Sequence, residues 1–185
     1  MNRRLFLAAF ASASAVLAGI APRRVRAAAE PAPSFTFPSI DGGLLDTAAW
    51  RGRPVLVVNT ASLCGFAPQL EGMQALHDAY AARGLVVLAV PSDDFAQELE
   101  NAEKVKEYCT IKYGITLPMT DIVHVTGAQA HPFYAWLRET RGFAPRWNFN
   151  KVLLGPDGQV VETWGATTGP QSRAIAAAFM PLLTG

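Results

Sequence analysis

Two wholly apolar runs, Val55-Leu-Val-Val58 and Leu85-Val-Val-Leu-Ala-Val90, constrain the fold of this chain more than any other feature. A strand that is apolar on both faces belongs inside a parallel sheet covered on both sides. Between the runs, Leu70, Met73, Leu76 and Tyr80 recur at spacings of three and four, the mark of a helix with one apolar face. Pro68 suits that helix's first turn, and Gly84 closes the pattern, which runs to about Arg83. Strand, helix, strand in this order is a βαβ unit, whose crossover is almost always right-handed. Ligand chemistry in such units gathers at the carboxyl ends of the strands. There the chain reads Asn59-Thr-Ala-Ser-Leu-Cys-Gly-Phe-Ala-Pro-Gln69 on one side and opens into the polar stretch after Val90 on the other.

Cys64 therefore lies in a turn between a buried strand and a helix. Free N–H groups and the helix dipole favour a thiolate in that setting. Such settings lower a cysteine pKa from about 8.5 to roughly 3.5–7.5, and the thiolate is the nucleophile. An inert packed thiol is the alternative that spacing alone leaves open.

The flanking sequence completes the layout. Ser34-Phe-Thr-Phe37 alternates like a strand, Asp41-Gly-Gly43 turns, and Leu44-Leu45 returns. After the second run, Pro91–Glu100 is a polar loop. Asn101 caps a helix over 101–112, in which Val105, Tyr108 and Cys109 share a face. Ile122–Val125 reads as a short strand or extended segment, and Pro132 starts a helix with Phe133, Trp136 and Leu137 on one side. Trp147–Leu154 leads into a strand, Gly155-Pro-Asp-Gly158 turns, and Gln159–Trp164 returns. Thr168-Gly-Pro170 opens a last helix bearing Ile175, Phe179, Leu182 and Leu183. The result is an α/β chain, a mixed central sheet flanked by helices, and the thioredoxin-like fold has this layout.

The amino-terminal end reads differently. Residues 1–29 have a basic start at Arg3-Arg4, an Ala-rich apolar stretch from Leu5 to Ile20, and small residues at Ala27-Ala-Ala29. That is the pattern of a cleaved export signal. Asn2-Arg-Arg-Leu-Phe-Leu7 resembles a twin-arginine signal, and the general secretory route stays open beside it. The stretch is short of the roughly 20 residues of a spanning helix, which argues against membrane insertion of the mature chain. The expectation is a periplasmic domain over 30–185. That domain holds eleven basic and fifteen acidic residues, a net charge of −4, and so offers no electrostatic footprint for nucleic acid.

The chain has two cysteines, Cys64 and Cys109, and no Cys-x-x-Cys, which argues against a thioredoxin-type disulfide carrier. Its three histidines, His77, His124 and His131, lack ligand spacing with the cysteines, so neither a metal nor another cofactor is expected. No Gly-rich phosphate loop and no Gly-x-Ser-x-Gly elbow occur. Gln97, just beyond the second run, and Trp147 and Asn148, before the third strand, can come near Cys64 at the same edge of a thioredoxin-like sheet, and each offers an uncharged N–H donor. Donors aimed at sulfur stabilise a thiolate and also the charge that develops on a leaving oxygen.

Asn59-Thr-Ala-Ser-Leu-Cys-Gly-Phe66 resembles the active-site turn of glutathione peroxidases, in which selenocysteine or cysteine holds the Cys64 position. The likeness continues through Gly84–Pro91, Phe95-Ala-Gln-Glu98 and Trp147-Asn-Phe-Asn-Lys151, and spans about Ser34 to Pro181. It implies a thiol peroxidase acting on hydrogen peroxide or organic hydroperoxides, with Cys64, Gln97, Trp147 and Asn148 as a catalytic tetrad. It further implies Cys109 as a resolving cysteine, local unwinding of its helix, and a thioredoxin-like donor or glutathione as reductant. The short segment between Trp136 and Trp147 lacks the insertion of tetrameric members, which implies a monomer. Two departures stand out: Phe95-Ala-Gln97 is one residue shorter than the usual Phe-Gly-x-Gln, and Asp93-Asp94 replace Asn-Gln, adding negative charge near the site. A non-catalytic thioredoxin-like binding protein and a protein thiol–disulfide oxidoreductase are the rival readings.

Overall fold

The computed structural model describes residues 32–184, so the expected export signal over 1–29 lies outside the described residues. Two short strands, β1 (Thr36–Pro38) and β2 (Leu44–Asp46), pair antiparallel with Phe37 opposite Leu45. Gly42 and Gly43 close this hairpin at φ +86° and +76°, a conformation that costs an L side chain energy at both positions.

The central sheet has four strands in the order β4-β3-β5-β6. β3 (Val55–Thr60) and β4 (Val86–Pro91) run parallel, with Val57 opposite Leu88 and Asn59 opposite Val90. Every residue in both is buried. β5 (Lys151–Leu154) pairs antiparallel with β3, and β6 (Val160–Trp164) antiparallel with β5. The alternation along β3 explains the two-sided apolar run. Leu56 and Val58 face a core built with α1 (Gln69–Tyr80), α2 (Ala102–Tyr113) and α4 (Arg173–Phe179). Val55 and Val57 face a second core with α3 (Pro132–Arg141) and Phe37 of the hairpin. A mixed sheet between two helical layers is the thioredoxin-like architecture the sequence points to.

The helix boundaries follow their caps. The Asn101 side chain accepts from Lys104 N at 3.0 Å to start α2, and Gly114 ends it at φ +63°. Past Tyr80, α1 tightens into a 3₁₀ turn over Ala81–Arg83. Two expectations are corrected. The last helix begins at Arg173 rather than at Thr168-Gly-Pro170, because Ser172 supplies the cap by accepting from Ile175 N at 3.4 Å. Ile122–Val125 forms no strand. Asp121 Oδ1 takes Ile122 N at 2.6 Å and Asp94 Oδ2 takes Val125 N at 2.6 Å, so side chains occupy donors that a ladder would need. The bridges to the sheet and hairpin come earlier, at Met119 with Ala89 and Thr120 with Ser39. Among the described residues, no helix is long and apolar enough to cross a membrane.

Candidate active site

The carboxyl end of β3 delivers Cys64 into a run of tight turns before α1. Cys64 N donates to Ala61 O at 3.5 Å, Ala67 N donates to Cys64 O at 2.9 Å, and Phe66 N reaches the Cys64 sulfur at 3.5 Å. That last bond is a backbone donor offered to sulfur, as expected of a strand-to-helix turn. Cys64 is 5% exposed. It lies in an open cleft of about 370 Å³, walled by Leu63, Gly65 and Pro68 on one side and by Tyr108, Lys112 and Tyr113 of α2 on the other. Lys112 Nζ sits 4.9 and 5.3 Å from the Tyr108 and Tyr113 ring centroids and donates to Tyr108 Oη at 2.8 Å. This fixes a cation at the cleft's rim.

Asparagines at the end of the sheet hold the Trp147–Asn150 segment. Asn59 Nδ2 and Asn150 Nδ2 both donate to Trp147 O, at 3.0 and 2.6 Å. Asn59 Oδ1 accepts from Asn150 N at 3.0 Å, and Asn59 O accepts from Phe149 N at 2.6 Å. Phe149, fully buried, takes φ +61°. A left-handed aromatic costs on the order of 1–3 kcal/mol and persists where its surroundings over-determine it. Here the turn leaves Trp147 42% exposed and Asn148 fully buried. The Trp147 ring lies 5.5 Å from that of Phe95.

The loop after β4 brings Gln97 to the same place. Leu63 N donates to Gln97 O at 2.9 Å, which ties the loop to the Cys64 turn. Asn148 Nδ2 donates to Gln97 Oε1 at 3.0 Å. That bond uses the Gln97 acceptor and leaves its NH₂ group to donate elsewhere. Asn148 Oδ1 is buried without a partner. The structure thus joins Gln97 to Asn148 and joins the Gln97 backbone to the Cys64 turn. Among the described residues, no hydrogen bond runs from Gln97, Trp147 or Asn148 to the sulfur itself.

The shortened loop is absorbed at Ala96, which turns the chain at φ +53° in the stretch where the longer pattern has glycine. The two aspartates brace this turn. Asp93 O accepts from Ala96 N at 2.9 Å, and Asp93 Oδ1 accepts from Glu98 N at 3.0 Å. Asp94 is directed at the 124–126 loop. Its carboxylate meets His124 Nδ1 at 2.6 Å and accepts from Val125 N and Thr126 N at 2.6 and 2.8 Å. Burial pushes the Asp94 pKa up, and the bonds from His124, Val125 and Thr126 outweigh it and hold the group below the usual carboxylate value.

Cys109 lies on the buried face of α2, 3% exposed, in the same apolar cluster as Cys64. Both thiols are free. Burial, with the Glu98 charge adding to it, pushes the Cys109 pKa up to about 12, against a smaller opposing pull from Ser62. Glu98 is itself raised, first by burial and further by Asp93, against hydrogen bonds from Ser62 and Leu99. Sequence reasoning missed Glu98, Ser62 and the Asn59–Asn150 pair. Asn59 carried a signal, a polar residue closing a wholly apolar strand. Glu98 carried only its place next to Gln97. Among the described residues, no group of three or more His, Cys, Asp or Glu is arranged to hold a metal ion.

Comparison with known proteins bears on this site. A family model described as glutathione peroxidase matches residues 34–138. A glutathione peroxidase of Lactococcus lactis is 37% identical over 142 residues, covering 74% of this chain and 90% of its own length. The hydroperoxy fatty acid reductase gpx1 of Synechocystis is 36% identical over 160 residues, covering 80% of this chain and 94% of its own. The crystal structure of Trgpx in its apo form superposes with a TM-score of 0.59 at 34% identity, over 80% of this chain and 97% of that one.

Proposed function

The chain belongs to the glutathione peroxidase family, and from that premise we propose a mechanism built on its own residues. The protein is a thiol peroxidase that reduces hydroperoxides. In the proposed reaction, the Cys64 thiolate attacks the O–O bond of hydrogen peroxide or an organic hydroperoxide. Water or an alcohol leaves, and Cys64 becomes a sulfenic acid. Gln97, Trp147 and Asn148 polarise the peroxide and stabilise charge on the departing oxygen. The observation that carries this reading is the bond from Asn148 to Gln97 Oε1, which leaves Gln97 a free donor in a loop tied to the Cys64 turn.

Cys109 then resolves the sulfenic acid as a Cys64–Cys109 disulfide with loss of water. Because Cys109 is buried on a helix, α2 opens locally to release it. A thioredoxin-like donor or glutathione reduces the disulfide by thiol exchange. The enzyme works as a monomer in the periplasm after an export signal over 1–29 is removed, a reading supported by the basic, apolar and small-residue order of that segment. Steady-state peroxide consumption with glutathione and with a thioredoxin system, side by side, tests the scheme. Cys64→Ser abolishes turnover with both. A Cys64→Ser variant at the parent rate refutes the assignment of the nucleophile.

A further inference from the structure

Lys151 is a fully buried cation that the peroxidase scheme leaves without a task. It opens β5 directly after the Trp147–Asn150 turn and pairs with Val58 of β3 in the sheet. Its Nζ donates to Gln69 Oε1 and to Ala166 O, the latter at 3.3 Å. Gln69 Nε2 donates to the same Ala166 O at 2.7 Å. The three groups close a clasp between Lys151 of β5, Gln69 at the start of α1, and Ala166 in the loop after β6. Among the described residues no carboxylate pairs with Lys151.

A buried ammonium without a counter-ion works against stability, so packing alone does not account for it. A methionine would fill the space. A lysine brings several donors on a long stem, and so engages two segments at once. What the clasp reaches is the Cys64 turn. Gln69 N donates to Phe66 O at 2.9 Å, and Phe66 N is the backbone donor that reaches the Cys64 sulfur at 3.5 Å. Fixing Gln69 against β5 therefore fixes the peptides that carry this donor. The upstream end of the same turn is held separately. There Ser62 N donates to Glu98 Oε1 at 2.9 Å and Leu63 N to Gln97 O at 2.9 Å. The clasp is the downstream hold, and it starts from the strand that Trp147 and Asn148 lead into.

We propose that Lys151 is a positioning residue for the peroxide step: through Gln69 it holds the Phe66 N–H against the Cys64 sulfur and keeps the Cys64 turn in register with the segment bearing Trp147 and Asn148. The proposal rests on the reading of Cys64 as the peroxide-attacking sulfur. A donor held to sulfur favours the thiolate over the thiol. Losing one donor to a charged group corresponds to about one pH unit, which makes the thiolate about ten times scarcer below its ionisation range. The more basic thiolate regains about threefold in reactivity, taking the slope of about 0.4–0.5 that holds for thiol exchange. The net loss is about threefold on the acid side of the pH profile, with none on the alkaline side. A general loosening of the structure slows the reaction at every pH, so the profile separates the two.

Two variants and their combination test this. Gln69→Leu removes both side-chain bonds of the clasp and leaves the cation; Lys151→Met removes the cation. Gln69 is half-buried and Lys151→Met sheds an unpaired charge, so neither change threatens the fold. Tryptophan fluorescence after rapid mixing with hydrogen peroxide gives the rate of sulfenic acid formation as the phase that scales with peroxide. Each single variant should move the pH profile of that phase up by about one unit and slow it about threefold on its acid side only. The double variant should match either single one, because both cut the same link. An unmoved profile in Gln69→Leu overturns the proposal. It does so even where Lys151→Met shifts, since the cation would then act through its field and not through Gln69. Equal slowing at every pH, or effects that add in the double variant, overturn it as well. If the parent forms no Cys64 sulfenic acid by mass spectrometry, the peroxidase reading fails and takes the proposal with it. A parent that forms it, beside variants with unmoved profiles, sinks the proposal alone.

Discussion

Replacing Cys109 by alanine should change stability by an amount that depends on pH, and in a known direction. The thiol is 3% exposed and its pKa is pushed up to about 12 in the folded protein. In the unfolded chain it returns to about 8.5–9. Below that value both states hold the proton and the thiol adds no pH dependence. Above it, the unfolded chain releases the proton and the folded protein does not, so stability falls with pH. The loss approaches 1.4 kcal/mol per pH unit, and integrated to about pH 10 it reaches roughly 1.4 kcal/mol. Removing the buried sulfur costs on the order of 1 kcal/mol at neutral pH through lost packing. Cys109→Ala should thus be less stable than the parent at about pH 7.5 and as stable or slightly more so at about pH 10. Urea melts under reducing conditions at the two pH values measure this, and every other titrating group cancels in the difference. A stability gap that stays constant across the two pH values would refute the burial of Cys109 as an un-ionised thiol.

The remaining predictions follow from the same structure. Lys151 is fully buried on β5, with Nζ donating to Gln69 Oε1 and Ala166 O, and burial lowers its pKa to about 8. Between about pH 8 and 10.5 the unfolded chain binds the extra proton, so parent stability should rise by on the order of 2 kcal/mol relative to Lys151→Met, read by urea melts across that window. Ala96→Gly relieves a left-handed φ of +53° and should raise stability by about 0.5 kcal/mol in thermal melts, although glycine normally destabilises. Asn101→Ala removes the cap of α2 and should cost about 1 kcal/mol. In the proposed scheme the resolving step opens α2, so the same change should speed disulfide formation up to about fivefold, read as the fluorescence phase after mixing with hydrogen peroxide whose rate does not depend on peroxide concentration.

What the sequence made legible was whatever repeats. The two apolar runs located β3 and β4, because a two-sided strand leaves no other place for itself. Spacing of three and four located α1, and Asn101 located the start of α2. Legibility failed where side chains compete with the backbone. Ile122–Val125 has strand composition, yet Asp121 and Asp94 take the N–H groups of Ile122 and Val125, and nothing local announces a partner 31 residues away. The start of the last helix was misplaced for a related reason, since Ser172 outbids the earlier Thr168-Gly-Pro170 as a cap.

The site divides along the same line. Cys64 stood out because its position follows from the βαβ unit alone. The residues that make it a site are polar and single, and each depends on a contact between segments distant in sequence. Asn59 fixes Trp147 across 88 residues, Asn148 meets Gln97 across 51, and Ser62 meets Glu98 across 36. Such bonds leave no periodic trace, so only a motif shared with relatives could point to Gln97, Trp147 and Asn148. Glu98 shows what a motif alone omits. It stands inside the shared segment, but the bonds its carboxyl accepts from Ser62 N and Leu99 N are a property of the packed molecule. The two aspartates that add negative charge to this stretch brace the loop instead: Asp93 accepts from Ala96 N and Glu98 N, and Asp94 from Val125 N and Thr126 N.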